Sequence, residues 1–347
     1  MKKTTLLTWS AFALVLSLSL VGCQKKEGSA PAQTTAPVTS EAELPQEDSL
    51  RTQYPVTVTV LDAEGTPVEM TFASAPERVI STQLSMTELL FELGLDNRIV
   101  SVFDNDNALT GPWAESIGAL PSLGDKKSVS KESILALSPD LIIGKGPLMF
   151  TETSIGTVEE YQSLGISVYT QLASASMKQS FDNVLQDIRN IGIIFDVQER
   201  ANAYADTLKQ KLDQIVQKVS DKQGEAPVRV LFMASYKDRT FSAFSSAFST
   251  CMLQTVNAKS VVEKGAGGLT LENLIELQPD VIFYVKSTRA AATDATAVSD
   301  LLSEDAVQSV PAISNQKIVE VNYDDVMDYG ARTIDALETL YHALYAN

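Results

Sequence analysis

The chain has 347 residues, with 44 acidic against 27 basic side chains and a formal charge of -17. That balance excludes an electrostatic grip on nucleic acid or on anionic lipid. One histidine and two cysteines are too few for a histidine-rich or cysteine-rich metal cluster.

Met1 to Cys23 opens with Lys2 and Lys3, continues through an apolar run from Leu6 to Leu20, and ends Leu20-Val21-Gly22-Cys23. This is the pattern of a secretory signal. Small residues before its cysteine resemble the bacterial lipobox, which implies cleavage after residue 22 and a diacylglycerol on the Cys23 thiol. Two acyl chains suffice to hold a soluble domain on a membrane, and Cys251 is then left without a disulfide partner. From Gln24 to about Arg51 the chain turns to Ser, Ala, Pro, Thr, Gln and Glu, too poor in apolar surface to offset the entropy of ordering. Residues 1–22 therefore read as a signal peptide and 23–54 as a lipidated flexible tether.

The remainder alternates short apolar strands with helices. A hairpin spans Val56–Val60 and Val68–Phe72 with its turn at Glu64-Gly65. Strands are expected at 78–81, 98–102, 140–143 and 166–169, and helices at 86–93, 131–137 and 158–164. Two long helices follow, one carrying Phe181, Val184, Leu185, Ile188 and Ile191 on a single face, the other Tyr204, Leu208, Leu212, Ile215 and Val219. Asp196 with Glu199 reads as the capped start of the second. Alternation resumes with strands at 229–233, 281–285 and 317–321 and helices near 251–256, at 271–277 and at 331–345. Helices separating short strands imply parallel sheets with right-handed crossovers. The expected fold is α/β, with two lobes of mainly parallel sheet joined by a rigid long-helix spine. Residues 55–176 form the first lobe, 177–222 the spine and the helix after it, and 223–347 the second lobe.

One segment occurs twice. Ser130 to Ile143 reads SKESILALSPDLII and Thr270 to Phe283 reads TLENLIELQPDVIF, so the lobes look duplicated; an array would need about three or more units. In each copy a glutamate, Glu132 or Glu272, stands two residues after a Ser or Thr. That places it exposed in a helix's first turn, where the dipole favours it.

Loops beyond the carboxyl ends of parallel strands are where ligands bind. In the first lobe they offer Thr82, Gln83, Phe103 and Lys145, and in the second Tyr236, Lys237, Arg239, Lys286, Arg289, Tyr323, Tyr329 and Arg332. On so acidic a chain these basic residues point to an anionic ligand, with Arg as a forked donor and Tyr as stacking surface or oxygen donor. Phe241, Phe244 and Phe248 read as ordinary core rather than as an aromatic wall. Gly144-Lys145-Gly146 lacks the third glycine of a dinucleotide loop, and His342 adjoins the apolar stripe of the last helix.

Pro76-Glu77-Arg78-Val79-Ile80, Glu88-Leu89-Leu90, the repeated segment, Leu164 to Tyr169, Asp187 to Ala201 and Gly330-Ala331-Arg332 follow one another behind the lipobox. In this order the chain resembles the bacterial solute-binding lipoproteins of ABC importers, in the class with a helical spine that takes up ferric siderophores, haem and cobalamin. The resemblance implies a class III periplasmic-binding-protein-like fold and little lobe movement. It implies capture of an iron chelate, or of a corrinoid or haem, between the lobes, and docking on a permease and its ATPase through Glu132 and Glu272. It also implies a monomer, lipid-anchored on the outer side of the membrane, without catalytic residues, cofactor or metal site. An enzyme on the same fold is a poorer reading, because G-x-S-x-G, H-E-x-x-H and Walker patterns are absent. An adhesin or sensor lipoprotein would differ only in its partner.

Overall fold

A computed structural model describes residues 50–345, so the signal, Cys23 and most of the tether lie outside the described residues. The first strands, β1 (Val56–Leu61) and β2 (Pro67–Phe72), form an antiparallel hairpin. Then come β3 (Val79–Ser81), α1 (Leu84–Glu92), β4 (Ile99–Val102), α2 (Ala114–Gly118), α3 (Lys131–Leu135), β5 (Leu141–Gly144), α4 (Gly146–Met149), α5 (Val158–Ser163), β6 (Ser167–Thr170) and α6 (Leu172–Ala175). Strands β3 to β6 make a parallel sheet in the order β4-β3-β5-β6.

The long helices α7 (Phe181–Ile194) and α8 (Gln198–Val219) lead out of this sheet and into a second. That part comprises β7 (Val228–Lys237), β8 (Thr240–Phe244), α9 (Ala247–Thr255), β9 (Ala258–Ser260), β10 (Ala266–Thr270), α10 (Leu271–Leu277), β11 (Val281–Lys286), α11 (Ala291–Leu302), α12 (Pro311–Ser314), β12 (Ile318–Asn322), α13 (Tyr323–Val326) and α14 (Ala331–Tyr345). Its order is β10-β8-β7-β11-β12, with β9 beside the start of β7. β11 is parallel to β7 and β12, whereas β8 and β10 run antiparallel.

The repeated segment builds the same clamp in both sheets, and the sequence reading left out one of its members. In the first, the Asp140 carboxylate accepts from the backbone N–H of Arg78 at 2.8 Å, while the Arg78 guanidinium donates to the carbonyls of Ser138 (3.0 Å) and Leu137 (2.6 Å). In the second, Asp280 accepts from Arg229 N–H at 2.9 Å, and Arg229 donates to the carbonyls of Gln278 (3.1 Å) and Leu277 (2.7 Å). Each arginine thus satisfies carbonyls that a helix end would leave orphaned. Each aspartate fixes the register of the strand after Pro-Asp against its neighbour. Ser138 and Gln278 both turn the chain left-handedly, with φ of 47° and 43°.

The spine packs closely because Gly192 of α7 faces Ala201 of α8, where an added Cβ would come within 2.5 Å. Asp196 does not cap α8. It lies in the left-handed region (φ 57°) at the end of α7, and the residue preceding α8 is Val197, which offers no side-chain cap. The Asp196 carboxylate instead receives Thr52 N–H at 2.7 Å and the Arg51 guanidinium at 2.8 Å. Thr52 and Tyr54 hydroxyls donate to the carbonyls of Ile193 (2.6 Å) and Ile194 (2.7 Å). The incoming chain therefore caps the C-terminal end of α7. Among the described residues no helix is long and apolar enough to cross a membrane.

Candidate functional site

The carboxyl ends of β3, β5, β11 and β12 meet at a seam between the two sheets, where Thr82, Gln83, Lys145, Tyr323 and Tyr329 of the expected residues pack. Lys145, directly after β5, is buried; its ammonium donates to the Met327 carbonyl at 3.1 Å and sits over the Tyr329 ring at 4.3 Å and the Tyr323 ring at 5.8 Å. Gln83, after β3, donates to the Asp328 carboxylate. Thr82 is buried beside Gly144, with its hydroxyl unpartnered. The aromatic rings continue from Tyr323 to Phe244 (6.0 Å) and from Tyr329 through Phe248 to Phe181 (5.1 and 5.2 Å).

Asp328 holds the seam together. α1 begins after Gln83 without a side-chain cap or a first-turn acid of its own. The Asp328 carboxylate supplies the missing acceptor, taking Ser85 N–H at 2.6 Å, while its carbonyl accepts from the Ser85 hydroxyl at 3.0 Å. An aspartate 243 positions downstream thus supplies the acceptor that the N-cap residue Gln83 does not. The next two residues leave no slack: Tyr329 has a φ of 59°, and a Cβ on Gly330 would come within 2.3 Å of Ser85. Burial pushes the Asp328 carboxyl well up, and Asp324 adds to this while Lys145 opposes it. Burial also pulls the Lys145 ammonium down, with Asp328 resisting.

On one flank Arg332 donates to Glu88 at 2.6 and 2.8 Å, to Asp325 at 3.1 Å and to the Thr110 carbonyl at 2.7 Å. On the other, Arg289 pairs with Asp106 and, at 2.8 Å, with Asp125, and Lys126 also pairs with Asp106. Asn107 exchanges bonds with Asp324 (2.8 and 3.1 Å) and donates to the Lys286 carbonyl at 2.9 Å. Lys286 itself pairs with Glu320 at 3.1 Å. The seam holds four cations, Lys126, Lys145, Arg289 and Arg332, against six acids, Glu88, Asp106, Asp125, Asp324, Asp325 and Asp328. The surplus of positive charge expected for an anionic ligand does not exist in this arrangement.

Three expected residues are placed elsewhere. Strand β7 alternates, with Leu231 and Met233 facing the core under α11 and Phe232 and Ala234 facing the spine side. Ser235 interrupts this alternation as a bulge with a φ of 54°. Tyr236 therefore falls into the α11-side core, with its backbone N–H donating to the Tyr284 hydroxyl at 3.1 Å. Lys237 is exposed in the hairpin, and Arg239 pairs with Glu304 at 3.3 Å. Phe241 joins the same core, whereas Phe248 is buried against Tyr329.

Phe103 forms part of the apolar floor of an adjoining cavity of about 430 Å³, which Asn107, Asp125 and Arg289 also line. Glu132 and Glu272 are both exposed in first helical turns. Glu132 is held below the usual carboxylate range chiefly by backbone N–H donation, and Glu272 chiefly by the Thr270 hydroxyl. Among the described residues no group of three or more His, Cys, Asp or Glu side chains is arranged to hold a metal ion, and His342 lies exposed on the surface of α14.

The seam residues that the sequence reading missed are Ser85, Glu88, Asp106, Asn107, Asp125, Lys126, Asp324, Asp325 and Asp328. A signal was present in α1, whose uncapped start demands an outside acceptor, and in Asn322-Tyr-Asp-Asp-Val-Met-Asp-Tyr-Gly330, where acids alternate with apolar residues just beyond a strand.

The sequence profile of the family described as periplasmic binding protein matches residues 79–324. An uncharacterized ABC transporter substrate-binding lipoprotein of Bacillus subtilis (strain 168), YvrC, is 23% identical over 339 residues, or 97% of this chain and 96% of that protein. A cobalamin-binding protein of Halobacterium salinarum (strain ATCC 29341 / DSM 671 / R1) is 25% identical over 294 residues, or 83% of this chain and 74% of the relative. The solved structure of an ABC-type Fe3+-hydroxamate transport system from Saccharomonospora viridis DSM 43017 superposes with a TM-score of 0.69 at 21% identity. The match covers 85% of this chain and all of that one (100%).

Proposed function

The chain belongs to the periplasmic binding protein family, and on that premise we propose that it is the extracytoplasmic solute-binding component of an ABC importer, carrying a metal chelate between its two sheets. The observation behind this reading is the seam itself. Strand-end loops of two separate sheets bring Lys145, Tyr323 and Tyr329 together, at the position where α/β sheets bind ligands. Glu132 and Glu272, one on each copy of the duplicated segment, are the contacts for the permease, and lipid on Cys23 holds the protein at the membrane. A Cys23→Ala variant is expected in the soluble rather than the membrane fraction; retention on the membrane would refute the anchor.

Within this class a corrinoid is the reading we favour. A ligand close to electrical neutrality suits a seam whose cations are already matched by carboxylates, and rings such as Tyr323 and Tyr329 offer faces for a planar macrocycle. A ferric siderophore is the second reading. It draws support from Arg289 and Lys126, which share Asp106 and would present two cations if that cluster opened. Thermal unfolding of protein lacking residues 1–22, with cyanocobalamin, haemin or a ferric hydroxamate, separates these. The right ligand at 100 times its Kd adds about 2.7 kcal/mol. If none raises the midpoint, the chelate reading is wrong.

A further inference from the structure

The seam is filled by the protein's own groups. Tyr323 to Gly330 follows the last strand of the second sheet, yet its polar atoms bond to the first lobe: Asp324 exchanges bonds with Asn107, the Met327 carbonyl accepts from Lys145, and the Asp328 carboxylate accepts from Gln83 and Ser85. The ring faces are taken as well. The Lys145 ammonium lies over Tyr329 at 4.3 Å, and Lys126 and Lys145 lie over Tyr323 at 5.7 and 5.8 Å. We propose that this segment is an internal plug of the ligand site, clasped by Lys145, so that a ligand enters by displacing the lysine and binds more weakly than its own contacts would dictate. The inference rests on the reading that the seam carries the ligand, and adds a regulatory device to that site.

The bonding of the clasp sets it apart from ordinary packing. An ammonium has three N–H donors, but among the described residues Lys145, 7% exposed, makes one hydrogen bond, to a neutral carbonyl. It is buried without the partners that a permanent core lysine needs, and the Tyr329 face holds it in their place. Two more polar atoms beneath the segment are buried and unpaired, Thr82 Oγ1 and Gln171 Oε1. They flank the end of β5, since the Thr82 N–H donates to the Ile143 carbonyl and the Gln171 N–H to that of Gly144. Native interiors leave few such atoms unsatisfied, and moving the lysine and the segment aside would open both to a ligand or to water. Tyr329 itself holds a φ of 59°, which a bulky side chain adopts at a cost, and strain of this kind gathers in switch segments. Displacement moves one side chain and a short loop, so it demands no bending of the spine.

Lys145→Ala removes the clasp and bares the Tyr329 face. Titration calorimetry with cyanocobalamin, haemin and a ferric hydroxamate reads the result. Whichever of the three the parent protein binds is expected to bind Lys145→Ala about tenfold more tightly, as when the binding-competent fraction rises from about a tenth to nearly all. A lysine that holds the ligand gives the opposite. Weaker or unchanged binding by the variant overturns the plug while leaving the seam as the ligand site. Should Lys145→Ala fail to fold, hydrogen exchange on the parent protein decides. The Ser85 amide, which donates to Asp328 at 2.6 Å, is expected to exchange faster with the ligand bound, because the displaced segment takes its acceptor away. Slowed or unaltered exchange overturns the plug. If neither protein binds any of the three ligands, the chelate reading falls and the plug with it.

Discussion

Replacing Arg332 by Met tests whether the seam is held by its ion pairs or by apolar contact alone. The guanidinium is about four-fifths buried and is, among the described residues, the only cation paired with Glu88, whose side chain is 17% exposed; Asp325 is 33% exposed. Methionine keeps the apolar stem and removes every N–H donated to Glu88, Asp325 and Thr110. Stranding a fully buried partner costs about 3–5 kcal/mol. Partial exposure of Asp325 allows water to recover part of this, so about 2–3 kcal/mol is expected, or roughly 3–5 °C in Tm for a chain of this size. Adding Glu88→Gln removes the stranded charge, so the double variant should recover about 1–2 kcal/mol relative to additivity. Urea unfolding of the four proteins at neutral pH measures both quantities. A loss below about 0.5 kcal/mol in the single variant, or additivity within about 0.5 kcal/mol, would refute the reasoning.

Three further outcomes are expected. Glu132→Ala combined with Glu272→Ala should leave ligand affinity intact and lower uptake by cells, because both side chains are exposed in first helical turns and make none of the seam's bonds described above; undiminished uptake would remove the docking role. Asp187, buried and accepting from the Tyr169 hydroxyl (2.7 Å) and from Leu172 and Ala173 N–H, is pushed up to about 7 by burial, which outweighs those donors. Its folded pKa lies above the unfolded one, so its contribution is complete below about pH 4 and is lost as pH rises through about 7. Roughly 4 kcal/mol is at stake, and Asp187→Asn should flatten that part of the stability curve. Tyr236→Leu should cost core stability and leave ligand affinity unchanged, and a large loss of affinity would return Tyr236 to the site.

Much of the architecture was legible because periodicity and duplication carry it. The hairpin, the strands after each Pro-Asp, both spine helices and the last helix all follow from side-chain spacing. Reading the strand ends also brought out Thr82, Gln83, Lys145, Tyr323 and Tyr329, which the structure gathers at the seam. The failures have local causes. Tyr236 left the site through one left-handed residue, Ser235, which no alternation of apolar side chains announces. The strands β9 and β10, short and rich in Lys, Ser and Gly, lack the apolar run that marks a strand. Charge was misjudged because counting the basic residues in loops cannot show which carboxylates fold back on them. Asp106, Asp125 and Glu88 neutralise Arg289 and Arg332 from distant parts of the sequence.

The capping of α7 by the incoming chain has a mechanical consequence. If lipid on Cys23 anchors the protein as proposed above, tension along the leash arrives through residues 51 to 54, which are fastened to the turn between α7 and α8. The load would then enter at the spine and not at the strand-end loops of the seam, so that pulling on the leash would not act directly on the residues proposed to hold the cargo.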